Sequence, residues 1–215
     1  MGRPALASIT VATADRILDA AVAEFAGRGF DGARLKDIAE VAGITRPSLL
    51  YHFETKELLY AATMGRAAQQ LSEMIFGAIG AQGSFRDRVH FLVEGFLAFA
   101  KTHPEVCRLM LRTVVTDDQP ETRRLYLSQV GPLIDDVMGF FAKDGEQDLR
   151  KELPLRAGLI SVVVNILTKS AAGDLRAPLW GNDDDDADTW MFVEHALLRT
   201  SKHEPEPAQP KGEEP

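Results

Sequence analysis

A chain of 215 residues can bury a substantial core and hold one or two domains, and its 45% hydrophobic share is ordinary for a globular protein. No apolar run approaches the roughly 20 residues that cross a bilayer, which excludes a membrane-spanning helix. The single cysteine, Cys107, excludes an internal disulfide, and the net charge of −8 excludes a chain that coats polyanions by charge alone.

The opening MGRPALASITVATADRIL lacks the apolar centre of a signal peptide, so a cytoplasmic protein is expected. Cys107 then suits a reducing compartment as a small buried apolar residue. Ala14, Ile17, Leu18, Ala21 and Phe25 recur at helical spacing and give the first helix one buried face. The run RLKDIAEVAGITRPSLLYHFETKELL, from Arg34 to Leu59, follows with the layout of a helix-turn-helix. Leu35, Ile38, Ala39 and Ala42 stripe its first segment. Gly43 stands where that helix must stop, because glycine accepts a left-handed backbone without steric cost. Ile44 plugs the corner, Thr45 is a candidate N-cap, and Pro47 fits only a first helical turn. Leu49, Leu50 and Phe53 are expected inward, leaving Arg46, Pro47, Ser48, Tyr51 and His52 outward. His52 fits an ordinary packing histidine as well as it fits a phosphate ligand. Lys56 stands in a first helical turn, where the helix dipole disfavours a cation, so something negative is expected beside it, a DNA phosphate being the obvious candidate.

Gly29-Phe30, Leu35-Lys36-Asp37-Ile38-Ala39, Ala42-Gly43-Ile44, Leu50-Tyr51-His52-Phe53 and Lys56-Glu57-Leu58-Leu59 together resemble the N-terminal domain of TetR-type transcriptional regulators. The resemblance covers about the first third of the chain. It implies an N-terminal three-helix DNA-binding domain over residues 1–63 and a helical ligand-binding and dimerisation domain over 64–202. It further implies a homodimer that reads operator DNA as an inverted repeat, a repressor released by a small molecule, which the body's large apolar side chains would make apolar or aromatic. DNA-binding candidates are Arg34, Lys36, Thr45, Arg46, Pro47, Ser48, Tyr51, His52 and Lys56. Arg34 departs from the family's usual threonine or serine at the start of the second helix. Either it meets phosphate as a charge or the cap shifts. Residues 1–63 hold seven basic and eight acidic side chains, so the remaining −7 lies beyond them. A few directed phosphate contacts are expected, with weak non-specific binding.

Beyond the reader the elements lengthen. Helices are expected over Thr55 to about Ile79, Phe85 to Thr102 capped by Ser84, and Glu105 to about Val115. Three more follow: Glu121 to about Ala142, Leu155 to about Ala172, and Asp188 to about Ser201. Gly80-Ala81-Gln82-Gly83, Pro104, Asp117-Asp118-Gln119-Pro120 and Asp144-Gly145 mark breaks. With no strand pair, repeat or heptad run, the chain reads as all-α. The proline-rich, almost wholly polar stretch 203–215 reads as a disordered tail.

Phe85, Phe91, Phe96, Phe99, Met110, Leu111, Phe140, Phe141 and Trp180 enrich the body in large apolar side chains, enough to pack a core and to line an apolar pocket. Ligand-binding candidates are Phe96, Phe99, Met110 and Leu111, with His103, Asn165 and Thr168 as polar members. Asn165 interrupts the run LISVVVNIL and is expected to be a buried amide in need of partners, or to lie at a subunit seam. In the same run Ile160, Val163, Val164 and Leu167 form a stripe. With Phe192 and His195 of the last helix it is the candidate dimer interface, the alternative being a helix pair inside one subunit.

Two other functions fit parts of the chain. The acidic run Asp183 to Asp186 with Asp188 could hold a metal and make a helical hydrolase, although such runs more often solvate a helix start. His90 and Glu94 lie one turn apart without a second ligand pair, and HExxH, GxSxG and phosphate-binding glycine loops are missing. A ligand carrier without DNA binding is the third, opposed by the intact TRPSLLYHF helix. No enzyme activity, cofactor, metal or membrane partner is expected.

Overall fold

A computed structural model gives the fold, describing residues 6–116, 119–150, 152, 154–181 and 185–199, with side chains placed from residue 11 and, in the last stretch, from 187. Ten α-helices carry those residues: α1 Leu6–Gly32, α2 Leu35–Val41, α3 Arg46–His52, α4 Lys56–Ile79, α5 Phe85–Thr102, α6 Pro104–Val115, α7 Pro120–Asp144, α8 Leu155–Ala171, α9 Arg176–Trp180 and α10 Asp185–Leu197. Among the described residues there is no strand, only an isolated bridge between Leu149 and Leu198 that pins the α7–α8 connection to the end of α10. The all-α expectation holds. Residues 117–118, 183–184 and 203–215, on which a break, part of the acidic run and the tail were expected, lie outside the described residues.

Local chemistry sets the helix ends. Ser84 accepts the Asp87 amide, while the Asp87 carboxylate accepts the Ser84 amide and hydroxyl, a reciprocal cap on α5. These bonds hold the Asp87 carboxyl below the usual carboxylate range. Pro104 ends α5 by opening α6 at once, where a missing N–H costs nothing. Three expectations are corrected. α7 runs longer, from Pro120 to Asp144, and keeps Pro132 inside it; the ring's fixed φ fits a helix, at the cost of one backbone hydrogen bond. The last helix starts at Asp185 and ends at Leu197. The short α9, preceded by a 3-10 turn at Gly173–Leu175, was not expected at all.

α6 lies at the centre of the arrangement. It packs against α1 on one side and α8 on the other, while α4 packs against α1, α5 and α7. One continuous apolar cluster therefore runs from Ile17 to Leu198. At the junction Tyr60 of α4 is fully buried, with Phe25 and Phe30 edge-on at 5.1 and 5.4 Å between ring centres. Its hydroxyl donates to Thr113 Oγ1 of α6 at 2.8 Å, and Thr113 donates onward to the Leu109 carbonyl. Nearby, Gly29 breaks α1 with a left-handed φ of 73°. A Cβ there would stand 2.7 Å from the Arg112 guanidinium of α6, so the cation lies directly on the closing turn of α1. Cys107 is fully buried as expected, and burial raises its thiol pKa.

Candidate functional site

The turn between α2 and α3 is built as its residue types demand. Gly43 adopts φ 70°, its amide bonds to the Glu40 carbonyl, and the Ile44 amide reaches back to Ala39 at 2.9 Å. That pair of bonds is a Schellman stop, and it turns the chain sharply after a helix of seven residues. Thr45 then caps α3 by accepting the Ser48 amide at 3.3 Å, and Pro47 sits in the first turn. Leu49 is fully buried and roots α3 in the core, with Phe53 half-buried against it; Leu50 is half-buried. Thr45, Arg46, Pro47 and Tyr51 stand exposed, Tyr51 by 84%, while Ser48 and His52 are half-buried. Tyr51 is thus no core tyrosine; its ring meets only the edge of His52, at 5.7 Å.

The cations divide into two groups. Arg28 is held by Glu24 and Asp37, the latter at 3.0 Å, and so ties α1 to α2. Lys56 donates to the Asp31 carbonyl at 3.2 Å and lies 4.9 Å from the centre of the Phe30 ring. Within the chain the carbonyl end of α1 therefore gives Lys56 a partner. Arg34, Lys36 and Arg46, by contrast, are exposed and make no ion pair among the described residues. Arg34 occupies the N-cap position of α2 and offers no side-chain cap; its carbonyl takes the Asp37 and Ile38 amides, so the helix start has not shifted. The result is a short rooted helix with an exposed arginine and tyrosine, flanked by Arg34 at the N-cap of α2 and Lys36 within it.

The body encloses a cavity of about 330 Å³ walled by α4, α5, α6, α7, α8 and α10. Phe96, Met110 and Leu111 line it as expected. The other candidates do not. Phe99 is buried but stacks on His103 at 4.6 Å, and the His103 Nδ1 lies 3.1 Å from the Phe99 carbonyl, so both are spent on closing α5. Asn165, expected to be a buried amide, is exposed on α8, and the Thr168 hydroxyl donates to the Val164 carbonyl of its own helix. Sequence reasoning missed Tyr126, the one hydroxyl-bearing side chain in the lining. Its helical spacing with Val130, Leu133 and Val137 was the available signal.

Of the expected seam, Ile160 and Val164 on α8 and Phe192 and His195 on α10 are exposed, Phe192 at 58%, and Met191 beside them is exposed too. Leu167 is buried in the subunit's own core, which removes it from an exposed seam, and Val163 is half-buried at the cavity wall. Gly158 lets the two helices approach closely; a Cβ on it would stand 2.7 Å from Leu197. Among the described residues no three potential ligands gather around a metal position; Asp183 to Asp186 lie outside the described side chains. His90 makes a long 3.7 Å contact with Glu94 and packs its ring on Trp190.

Residues 17–63 match the family model for bacterial regulatory proteins of the tetR family. Over 151 residues the chain is 26% identical to the HTH-type transcriptional activator FasR of Mycolicibacterium smegmatis, covering 70% of this chain and 68% of FasR. Over 125 residues it is 35% identical to the HTH-type transcriptional regulator RutR of Escherichia coli, covering 57% of this chain and about half, 51%, of RutR. The fold matches that of a TetR family transcription regulator from Marinobacter aquaeolei with a TM-score of 0.70 at 18% identity, over 91% of this chain and 100% of that one. With the helix-turn-helix rooted and exposed as described, residues 17–63 are a DNA-binding domain of the tetR family, and the chain is a DNA-binding transcriptional regulator.

Proposed function

We propose that the chain is a homodimeric repressor that reads an inverted-repeat operator and lets it go when a small molecule fills the body cavity. Residues 1–63 form the reader and 64–202 the ligand-binding and dimerising part, with α4 continuous across the boundary. One observation carries the DNA half: α3 projects Arg46, Pro47 and Tyr51 into solvent while Leu49 fixes its opposite face in the core. Arg46, Pro47 and Ser48 approach base edges in the major groove, and Arg34, Lys36, Thr45, Tyr51, His52 and Lys56 hold phosphates. Lys56 does so from its seat on the Asp31 carbonyl, so it sets the pose of α4 as well.

The dimer forms on the exposed apolar stripes of α8 and α10, each subunit presenting the same pair of helices to its twofold mate. Two recognition helices then face successive major grooves, about 10 base pairs or a multiple apart. Control runs through α6. Its Met110, Leu111, Val114 and Val115 wall the cavity, while Thr113 and Arg112 grip Tyr60 and the closing turn of α1. A ligand that prefers the conformation with reader helices misplaced weakens DNA binding by its differential affinity, commonly about 1–3 kcal/mol. The work is binding rather than catalysis, and it is done in the cytoplasm, where the operator lies.

The test is selection of bound sequences from random duplexes, followed by titration of the winner. An enriched inverted repeat is expected. Recovery of a lone half-site would refute the dimer, and no enrichment at all would refute operator reading.

A further inference from the structure

The cavity's chemistry narrows what it can hold. Every lining side chain is aliphatic, thioether or phenyl, save the phenol of Tyr126 on α7. Among the described residues no charged side chain lines it. The basic side chains Lys101, Lys169 and Arg176 line a second, smaller cleft of about 210 Å³ with Ser170, and each already interacts elsewhere in the chain. Only Ile166 of α8 is common to the two linings.

Tyr126 differs from the buried Tyr60 in one respect. Tyr60 gives its proton to Thr113, whereas the Tyr126 hydroxyl makes no hydrogen bond among the described residues. Tyr126 is half-buried, and a phenol in an apolar lining ordinarily finds a partner. Burial holds it neutral, with its pKa pushed up to about 12, so at neutral pH it is a proton donor in a hydrocarbon wall. Carboxylates, phosphates and ammonium groups entering this space would shed their water and meet no opposite charge. The volume sits at the lower end of small-molecule sites, roughly 300–1,000 Å³. Exposed Val114 and Val115 on α6, with Ile160 and Val164 on α8, belong to the lining and mark where the cavity reaches the surface.

We infer that the cavity selects an uncharged lipophilic molecule carrying one hydrogen-bond acceptor, a carbonyl, ether or hydroxyl oxygen, which Tyr126 anchors while the remaining walls contribute apolar contact. This rests on the cavity being the effector site and adds the chemical class of the effector.

The experiment is displacement of the neutral fluorophore N-phenylnaphthylamine from the full-length protein at neutral pH by three chains of equal length: methyl octyl ketone, decanoate and decylammonium. The ketone is expected to displace the probe, with the two ions needing about a hundredfold more. Tyr126→Phe should weaken the ketone about three- to tenfold, with displacement corrected for the probe's affinity measured on the same variant. Decanoate competing as well as the ketone would overturn the inference. If Lys101→Ala or Lys169→Ala then abolished that advantage, the ligand would be an amphipathic anion reaching the second cleft. Unaltered ketone affinity in Tyr126→Phe would overturn the anchor. Failure of all three chains to displace a bound probe would overturn the lipophilic class, and failure of the probe to bind would overturn the cavity as a ligand site altogether. Ketone binding without any change in operator affinity would leave this inference standing and count against control through the cavity.

Discussion

The reader and the body are built from the same kind of helix, yet one is filled and the other is hollow. In the reader Ile17, Phe25, Ile38, Leu49, Leu59 and Tyr60 are fully buried and close on one another, and neither cavity has a lining residue before Leu71. In the body six helices stand around about 330 Å³ of space with a hydrocarbon wall. The contrast separates two needs. A helix that reads base edges must be held in one pose, which calls for close packing. A site that accepts a guest gives up packing energy for room, and the guest restores part of it.

The largest effect expected from breaking this arrangement comes from assembly. Phe192→Glu places a charge on an exposed side chain outside the cavity, so the subunit should fold and sedimentation should find monomers. Operator affinity should fall about 10²–10⁴-fold as bivalency is lost. A dimer of unchanged affinity would remove α10 from the interface. The filled and hollow regions should also respond differently to truncation. Leu49→Ala is expected to cost about 2–5 kcal/mol in chemical denaturation, and Leu133→Ala, at the cavity wall, to fall at or below the lower end. Equal costs would mean that the body is as tightly packed as the reader.

A smaller change tests the joint between them. Tyr60→Phe removes the hydroxyl that meets Thr113; since Thr113 keeps its bond to Leu109, a loss of about 1 kcal/mol is expected. The smallest effect is alkaline. The folded pKa of Tyr126, about 12, lies above the ordinary value of 10.0. Its contribution is therefore full below pH 10 and is lost as pH rises through about 12, because the unfolded chain releases the proton first. Tyr126→Phe should flatten that decline in denaturation midpoints measured across the window; an unchanged slope would assign it to other groups.

The reader was legible because its signals are local. Gly43, Thr45 and Pro47 each state a backbone requirement that the neighbouring residues cannot override, and Ser84 with Asp87 does the same for α5. The body was legible in its helices but not in which way they face. α8 is apolar nearly all round, so periodicity alone could not tell the inner cavity wall, Val163 and Ile166, from the exposed Val164 at the cavity's edge and the exposed Asn165 outside it. That choice is made by α6 and α10 packing against it, contacts distant in sequence. Tyr126 was hidden for a related reason: it stands among the arginines and polar residues of RRLYLSQ, and only the α4 and α6 side of the helix makes it interior. α9 was invisible because five residues with Pro178 among them carry no period at all.

Operator reading by α3 is tested most directly by titrating wild type and Arg46→Ala against the selected operator and its single-base-pair variants at several salt concentrations. The wild type should discriminate at each position of the half-site. Arg46→Ala should lose about 1–3 kcal/mol at one or two base pairs, with binding to unrelated duplexes close to that of the wild type. Discrimination unchanged at every position would contradict the placement of α3 in the major groove.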